Sequence, residues 1–260
     1  MELPFKSDGV DLIDRKRFSV ILVWPENQEN VGLVARAMKN TGFSDLRIVG
    51  PPGFSGEAFR TAIHSEDILE KACFYPNLSD AICSLHLVLA STARVRSKFA
   101  VIPIHEAVET ALCFPRPTKI GLLFGNERTG LTSEELRAAN FVFSIPQALR
   151  QPSYNLASAV LLTLFAFFIR SFEPPVVREK QPMMKAAQEE CIRVILMRLR
   201  QSGFIHDTNE THITRKVHDL FGRIALNEKD RKLLMAIFNK ALDAGRFSGS
   251  PGHHGKRRTQ

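Results

Sequence analysis

The chain has 260 residues, of which 44% are hydrophobic and 24% charged, so it can bury a sizeable core and is not a disordered protein. Its four scattered cysteines form no C-x-x-C pair, which argues against a cysteine zinc site and favours reduced thiols in the cytoplasm. The N-terminal residues lack the apolar run of a signal peptide. Residues 151–169 are uncharged, but they hold only about 14 consecutive apolar or small residues, too few for a membrane span.

The positive charge is concentrated in the last third of the chain. Residues 173–260 hold 17 of the 35 basic and 10 of the 27 acidic residues, so they carry +7 of the net charge of +8. This asymmetry favours a nearly neutral chemical domain joined to a module that binds a polyanion, most simply nucleic acid. The alternative is a basic helical surface that faces only solvent.

Short apolar runs alternate with helical patterns through the first 171 residues. This alternation predicts a parallel α/β sheet, in which ligands bind at the loops that leave the carboxyl ends of the strands. The predicted strands cover residues 18–24, 46–49, 86–90, 120–124 and 141–145. The predicted helices cover residues 31–40, 56–72, 78–85, 104–113, 133–139 and 155–171.

The remainder of the chain has a different pattern. Residues 173–183 contain three prolines and predict a linker between a domain of residues 1–172 and a basic helical extension of residues 184–245. Helical patterns cover residues 185–199, 213–225 and 228–242, with Asn227 as the expected cap of the third. The Gly-rich basic residues 246–260 predict a disordered tail.

Two segments resemble known functional motifs but lack residues that the chemistry of those motifs requires. The loop from Gly125 to Gly130 follows a strand like a phosphate-binding P-loop, but Leu131 occupies the lysine position and Glu127 would place a carboxylate in the phosphate cradle. His64 and Glu66 form a His-x-Glu pair without the downstream C-x-x-C of a zinc deaminase, so they are expected on a helix surface. No metal site is predicted.

Three polar loops remain, two of which contain glycine, and each follows a predicted strand. They are Asn30-x-Gly32-x-x-x-Arg36, Gly125-Asn126-Glu127-x-x-Gly130-Leu131, and Ile145-Pro146 followed by Ser153-x-Asn155. Taken singly, each has an ordinary explanation, such as a helix cap at Asn30 or Ser153 or a surface ion pair at Arg36. Their order and spacing together point to one site.

With these three motifs in this order, the sequence resembles the SpoU/TrmH branch of the SPOUT superfamily of knotted RNA ribose 2′-O-methyltransferases. It is most similar to the TrmJ group, through residues 30–38, 91–96 and 123–131. The tail, with Gly203-Phe204-Ile205 and Arg215-Lys216, is similar to the helical C-terminal extension of that group. The resemblance implies an α/β domain with a trefoil knot, a homodimer and S-adenosylmethionine as cofactor.

The resemblance also implies roles for individual residues. Arg36 would stabilise the developing alkoxide, because free guanidinium is too basic to act as a literal base. The other expected catalytic residues are Asn30, Glu127, Ser153 and Asn155. The expected cofactor-binding residues are Ser91, Thr92, Ala93, Gly125, Ile145, Pro152, Ser153, Tyr154 and Leu156. The expected RNA-binding residues are Arg94, Arg96, Lys98, Arg215 and Lys216, with simple surface charge as the alternative.

The implied substrate is tRNA, at the pyrimidine in position 32 of the anticodon loop. Ribosomal RNA is the main alternative, because the catalytic motifs do not encode the target. A protein that binds RNA without catalysis is a further alternative, against which the presence of Arg36, Glu127 and Asn155 argues.

Overall fold

The structure is a computed structural model that describes residues 13–94, 99–148, 153–170 and 181–246. In this part of the chain, seven parallel strands form one sheet in the order β3-β2-β1-β6-β4-β7-β5. The strands are β1 (Phe18–Val23), β2 (Asp45–Val49), β3 (Cys73–Tyr75), β4 (Leu87–Ser91), β5 (Val101–Pro103), β6 (Ile120–Phe124) and β7 (Phe141–Ser144).

Helices follow most of the strands, and three more helices form the C-terminal region. They are α1 (Gln28–Thr41), α2 (Gly56–Ala62), α3 (Glu66–Glu70), α4 (Leu78–Ile82), α5 (Ile104–Leu112), α6 (Ser133–Arg137), α7 (Leu156–Arg170), α8 (Lys185–Gln201), α9 (Glu210–Gly222) and α10 (Glu228–Arg246). The prediction of a parallel α/β fold followed by a helical extension is confirmed. None of the described helices is long and apolar enough to cross a membrane.

The strand order explains why distant loops meet. Strand β6 lies between β1 and β4, and β7 lies between β4 and β5, so later segments insert between earlier ones. Since all strands are parallel, the loops after β1, β4, β6 and β7 leave the same edge of the sheet. The expected trefoil knot would involve the same insertion of later segments between earlier ones. Residues 95–98 and 149–152 of these loops lie outside the described residues.

Several sequence predictions need correction. The single helix expected at residues 56–72 is two helices, because the chain turns at residues 63–65 and His64 has a left-handed φ of 61°. His64 therefore lies in the turn and Glu66 is the first residue of α3, where its carboxylate accepts a hydrogen bond from the His64 amide. Helix α10 extends to Arg246, the first residue of the predicted tail. Residues 173–180 of the predicted linker and residues 247–260 of the predicted tail lie outside the described residues.

Helices α8 to α10 enclose a small apolar cluster of their own and dock on the α/β unit. The cluster includes Met183, Ile192, Ile195, Phe221 and Leu226. The backbone amide of Lys185 at the start of α8 donates to the carbonyl of Leu85 at 2.6 Å. A Cβ added at Gly222 of α9 would lie 2.7 Å from the carbonyl oxygen of Arg137, so this close approach requires glycine.

Candidate active site

A cavity of about 310 Å³ opens at the carboxyl edge of the sheet, where the loops after β4, β6 and β7 meet. A volume of this size is at the lower end of the range for small-molecule sites. The predicted cofactor residues that line it are Ser91, Thr92, Ala93, Gly125, Ile145, Ser153, Tyr154 and Leu156. Pro152 lies outside the described residues.

Other lining residues add apolar and charged surface to the cavity. Phe124, Leu131 and Ala159 contribute apolar side chains, and Arg94 and Glu127 contribute opposite charges. The Tyr154 hydroxyl donates to the carbonyl of Pro146 at 3.0 Å, which holds the two halves of the last loop together. The cavity therefore combines apolar walls with backbone and hydroxyl groups, as a nucleoside-like ligand requires.

The loop after β6 closes on itself in a tight turn. The amide of Gly130 donates to the carbonyl of Asn126 at 2.8 Å, and Gly130 has a left-handed φ of 66°. A Cβ added at Gly125 would lie 2.4 Å from backbone atoms of Gly130 and Leu131. Closure of the loop by itself therefore requires glycine at position 125.

A hydrogen-bond network joins the three sequence motifs. The Glu127 carboxylate accepts from the Asn30 side-chain amide at 2.9 Å and from the backbone amides of Glu26 and Asn27 at 2.9 and 3.2 Å. The Asn30 side-chain oxygen accepts from the Asn155 side-chain amide at 2.8 Å. Residues that are 97 and 125 positions apart in the chain are thereby fixed to one another.

The network also anchors two helix N-termini. Asn27, not Asn30, is the cap of α1, because its side-chain oxygen accepts from the amide of Glu29. Asn30 lies inside α1 and is only 5% exposed. The Asn155 side-chain oxygen accepts from the amides of Ala157 and Ser158 at 2.9 and 3.3 Å, so it caps α7.

Glu127 is held in its charged form. Burial raises the pKa of its carboxyl, but the hydrogen bonds from the Asn30 side chain and from nearby backbone amides outweigh burial, so the pKa lies below its ordinary value. A carboxylate with a lowered pKa and three donors around it is a poor proton acceptor at neutral pH. Glu127 is therefore suited to positioning the loops after β1 and β6.

The structure does not bring every predicted site residue to the cavity. Arg36 is on the exposed side of α1, six residues after Asn30, and does not line the cavity. Its guanidinium forms no hydrogen bond or ion pair with any described residue, and Asn30 does not contact it through a hydrogen bond. Arg215 and Lys216 are exposed on α9, and Arg96 and Lys98 lie outside the described residues.

Asn126 has a structural role that the sequence did not predict. Its side-chain amide donates to the carbonyl of Trp24 at 2.8 Å, and its side-chain oxygen accepts from the amide of Arg128 at 2.9 Å. The side chain thus links the turn after β6 to the residue that follows β1. The polar loop sequence predicts a turn at Asn126, but only the adjacency of β1 and β6 shows its partner.

Comparison with known proteins agrees with this architecture. The model of the SpoU rRNA Methylase family matches residues 17–165. The TrmJ tRNA (cytidine-2′-O-)-methyltransferase of Methanocaldococcus jannaschii is 36% identical over 155 residues, which are 58% of this chain and 67% of that protein. The Escherichia coli protein LasT, named an uncharacterized tRNA/rRNA methyltransferase, is 36% identical over 154 residues, and the match spans 56% of this chain and 65% of LasT.

A longer match includes the helical region. The TrmJ tRNA (cytidine/uridine/adenosine-2′-O-)-methyltransferase of Pseudomonas aeruginosa is 28% identical over 250 residues, which cover 90% of this chain and 96% of that protein. The crystal structure of TrmJ from Z. mobilis aligns with a TM-score of 0.73 at 26% identity and covers 86% of this chain and 98% of that one. The family model matches more than half of the residues of this chain, so the chain belongs to the SpoU methylase family.

Proposed function

We propose that this protein transfers a methyl group from S-adenosylmethionine to a ribose 2′-hydroxyl of tRNA, at the pyrimidine in position 32 of the anticodon loop. The observation that carries the proposal is that the second and third family motifs line one cavity, and that the hydrogen bonds of Asn30 to Glu127 and Asn155 join the first motif to them. The TrmJ names of relatives that match along 85% to 91% of the chain support tRNA as the substrate.

The residues that line the cavity suit the chemistry of the proposed cofactor. Phe124, Ile145 and Leu156 offer apolar surface for a purine, while backbone groups of the loops after β4 and β6 can bond its polar edges. The charged Glu127 carboxylate suits a cationic ligand. When bound, S-adenosylmethionine would supply a methyl group on a positively charged sulfur, so that attack of a ribose 2′-oxygen on the methyl carbon would break the carbon–sulfur bond with S-adenosylhomocysteine as the leaving group.

Asn30, Glu127 and Asn155 act as positioning residues in this proposal. The side-chain oxygens of all three accept hydrogen bonds within the chain, so they hold the loops in place rather than remove a proton. Ser153 lines the cavity and is exposed, so its hydroxyl is available to the ribose or the cofactor. The proton of the 2′-hydroxyl passes to a phosphate oxygen of the RNA or to water.

Arg36 is the proposed catalytic residue. Its guanidinium is exposed and has no partner among the described residues, so it is free to bind the phosphate next to the target ribose. A fixed positive charge there stabilises the alkoxide that develops as the proton leaves. Arg94, which lines the cavity, is a second candidate for phosphate binding.

The helical unit of residues 185–246 is proposed to hold the body of the tRNA. Arg215 and Lys216 are exposed on α9, and the last third of the chain carries most of the net positive charge. The four cysteines are free, which suits the reducing cytoplasm where tRNA is modified.

The decisive experiment is incubation of the protein with isotopically labelled S-adenosylmethionine and total tRNA, followed by mapping of the methylated nucleotide. We expect label in the ribose at position 32. A parallel incubation with ribosomal RNA tests the main alternative. Label in ribosomal RNA alone would mean that ribosomal RNA, not tRNA, is the substrate. Binding of RNA without label in either RNA would mean that the protein binds RNA without catalysis.

The protein is also proposed to form a homodimer through α7. This helix exposes Leu161, Leu162, Phe165 and Ile169, an apolar surface beyond the face that packs on α1 and α5. Phe165→Asp should give a monomer in sedimentation at micromolar concentration. Ile63→Asp, which changes an exposed apolar residue between α2 and α3, should leave the dimer intact.

A further inference from the structure

Trp24 combines exposure with a strained backbone. It is the only tryptophan of the chain, follows β1 directly, and is 52% exposed. A single exposed apolar residue needs no explanation by itself. Its φ of 50°, however, lies in the left-handed region that glycine adopts without strain and tryptophan does not. Strained residues of this kind persist where the surrounding structure holds them, and they cluster at functional sites.

Hydrogen bonds hold both ends of this residue. The Trp24 amide donates to the carbonyl of Val49 at 2.8 Å, and its carbonyl accepts from the Asn126 side chain at 2.8 Å. Asn126 lines the proposed cofactor cavity, and Glu127 beside it binds the amide of Glu26. The Trp24 backbone is therefore attached directly to the wall of the active site.

The indole is supported on one side. A Cβ added at Gly50 would lie 3.4 Å from Cε3 and 3.7 Å from Cζ3 of Trp24, so the six-membered ring packs against the bare backbone of Gly50. About half of the residue remains exposed to solvent. A flat aromatic ring that is fixed on one side and open on the other is suited to stacking on a nucleobase.

We propose that Trp24 is a base-stacking residue that binds a nucleobase of the RNA beside the ribose to be methylated. The proposal rests on the proposed function as an RNA methyltransferase and adds a residue that the catalytic motifs do not include. It also explains why a strained position beside the active site holds a large aromatic residue instead of glycine.

Two substitutions of Trp24 separate stacking from folding. Trp24→Gly relieves the backbone strain and removes the ring, so the variant should be at least as thermally stable and bind S-adenosylmethionine as before. Its KM for tRNA should rise about tenfold while kcat changes little, the effect expected for loss of one stacked base. Trp24→Phe keeps an aromatic ring and should stay within about threefold of the unmodified protein.

The other non-glycine residue with a left-handed φ among the described residues offers a matched control. His64 has a φ of 61°, lies between α2 and α3 and does not line the cavity, so His64→Gly should relieve similar strain without changing KM for tRNA. The single tryptophan also gives a direct signal. Its fluorescence should be quenched when tRNA is added, but not when S-adenosylhomocysteine is added alone.

The outcomes distinguish this inference from the proposed function. An unchanged KM in Trp24→Gly, equal losses in His64→Gly, or tRNA binding without quenching would overturn stacking by Trp24, although methyl transfer by the unmodified protein would still stand. Failure of the unmodified protein to methylate any RNA would refute the proposed function before the variants are compared.

Discussion

A long-range hydrogen-bond network in the α/β unit and the ion pairs within helices of the C-terminal unit connect polar side chains in different ways. In the α/β unit, Asn30 bonds Glu127 and Asn155 across 97 and 125 residues of sequence. In the helical unit, Arg193 pairs with Glu190 and Arg231 with Glu228, each three residues away on the same helix. The first pattern fixes a few groups relative to one another, and the second keeps charge on a solvated surface.

This difference suits two separate tasks. Methyl transfer needs its reacting groups in a narrow geometry, which long-range hydrogen bonds on a rigid sheet can supply. Holding a tRNA body needs positive charge that follows phosphates without reading sequence, which exposed helical Lys and Arg residues can supply. Substitutions in the two units should accordingly change different measurements, the rate of the chemical step or the salt dependence of binding.

The largest effect is expected at Arg36. Arg36→Ala should lower the single-turnover rate of methyl transfer by about 100- to 1,000-fold, the scale for loss of one transition-state donor. Binding of S-adenosylmethionine should not change, because Arg36 does not line the cavity. Arg60→Ala, which removes another exposed arginine from the α/β unit, is the control and should keep a normal rate. A normal rate in Arg36→Ala would remove Arg36 from the chemistry.

The next largest effect is expected on stability, at Lys185, where the helical unit meets the α/β unit. Lys185 is 4% exposed at the start of α8, and burial lowers its pKa from 10.5 to about 8, although Glu189 opposes this shift. At pH 7 the folded protein therefore holds a buried charge. Lys185→Met should raise the free energy of unfolding at pH 7 by about 2–3 kcal/mol, as judged from the pKa shift.

The pH dependence of this gain has a definite sign. Between about pH 8 and 10.5 the folded state has lost the Lys185 proton while the unfolded state keeps it, so the unmodified protein gains stability as pH rises. The advantage of Lys185→Met should therefore shrink across this window in denaturant titrations. Lys229→Met, at an exposed position on α10, should show neither effect. A gain that does not depend on pH would mean that burial of charge is not its cause.

A smaller effect is expected at Glu127. Glu127→Gln should lower the free energy of unfolding by about 1–2 kcal/mol at pH 7, because an amide cannot accept all the hydrogen bonds of the carboxylate. The pKa of Glu127 is lowered in the folded state, so its contribution is present above the ordinary pKa and is lost as pH falls below about 4. The difference between the two proteins should therefore narrow in denaturant titrations at pH 3.

The control for that measurement is Glu26→Gln, which changes an exposed carboxylate next to the same loop. It should leave stability nearly unchanged at both pH values, since exposed ion pairs contribute little. If Glu127→Gln changed the free energy of unfolding as little as Glu26→Gln does, the hydrogen-bond network would not hold the loops in place.

The sequence predicts the strongly patterned elements and the meeting of the loops, but not the contacts between them. The five apolar strands were predicted because buried parallel strands are continuous apolar runs. Strands β3 and β5 were missed because each has three residues and pairs on one side only. The left-handed conformation of Trp24 was also missed, because it depends on Val49 and Asn126, which are distant in sequence.

The smallest effect concerns the helical unit. Replacement of Arg215 and Lys216 by Gln should weaken tRNA binding only a few-fold at physiological salt. It should, however, reduce the slope of log affinity against log salt by about two, because each phosphate that is no longer contacted keeps its counterion when the tRNA binds. The control is the double variant Arg193→Gln and Arg231→Gln, which removes the same charge from two arginines already paired with Glu190 and Glu228. A change confined to the α9 pair would place direct phosphate contacts there, whereas equal changes in both variants would mean that only net charge attracts the tRNA. An unchanged slope in both would show that the helical unit does not hold the tRNA, and the division of tasks between the two units would fail.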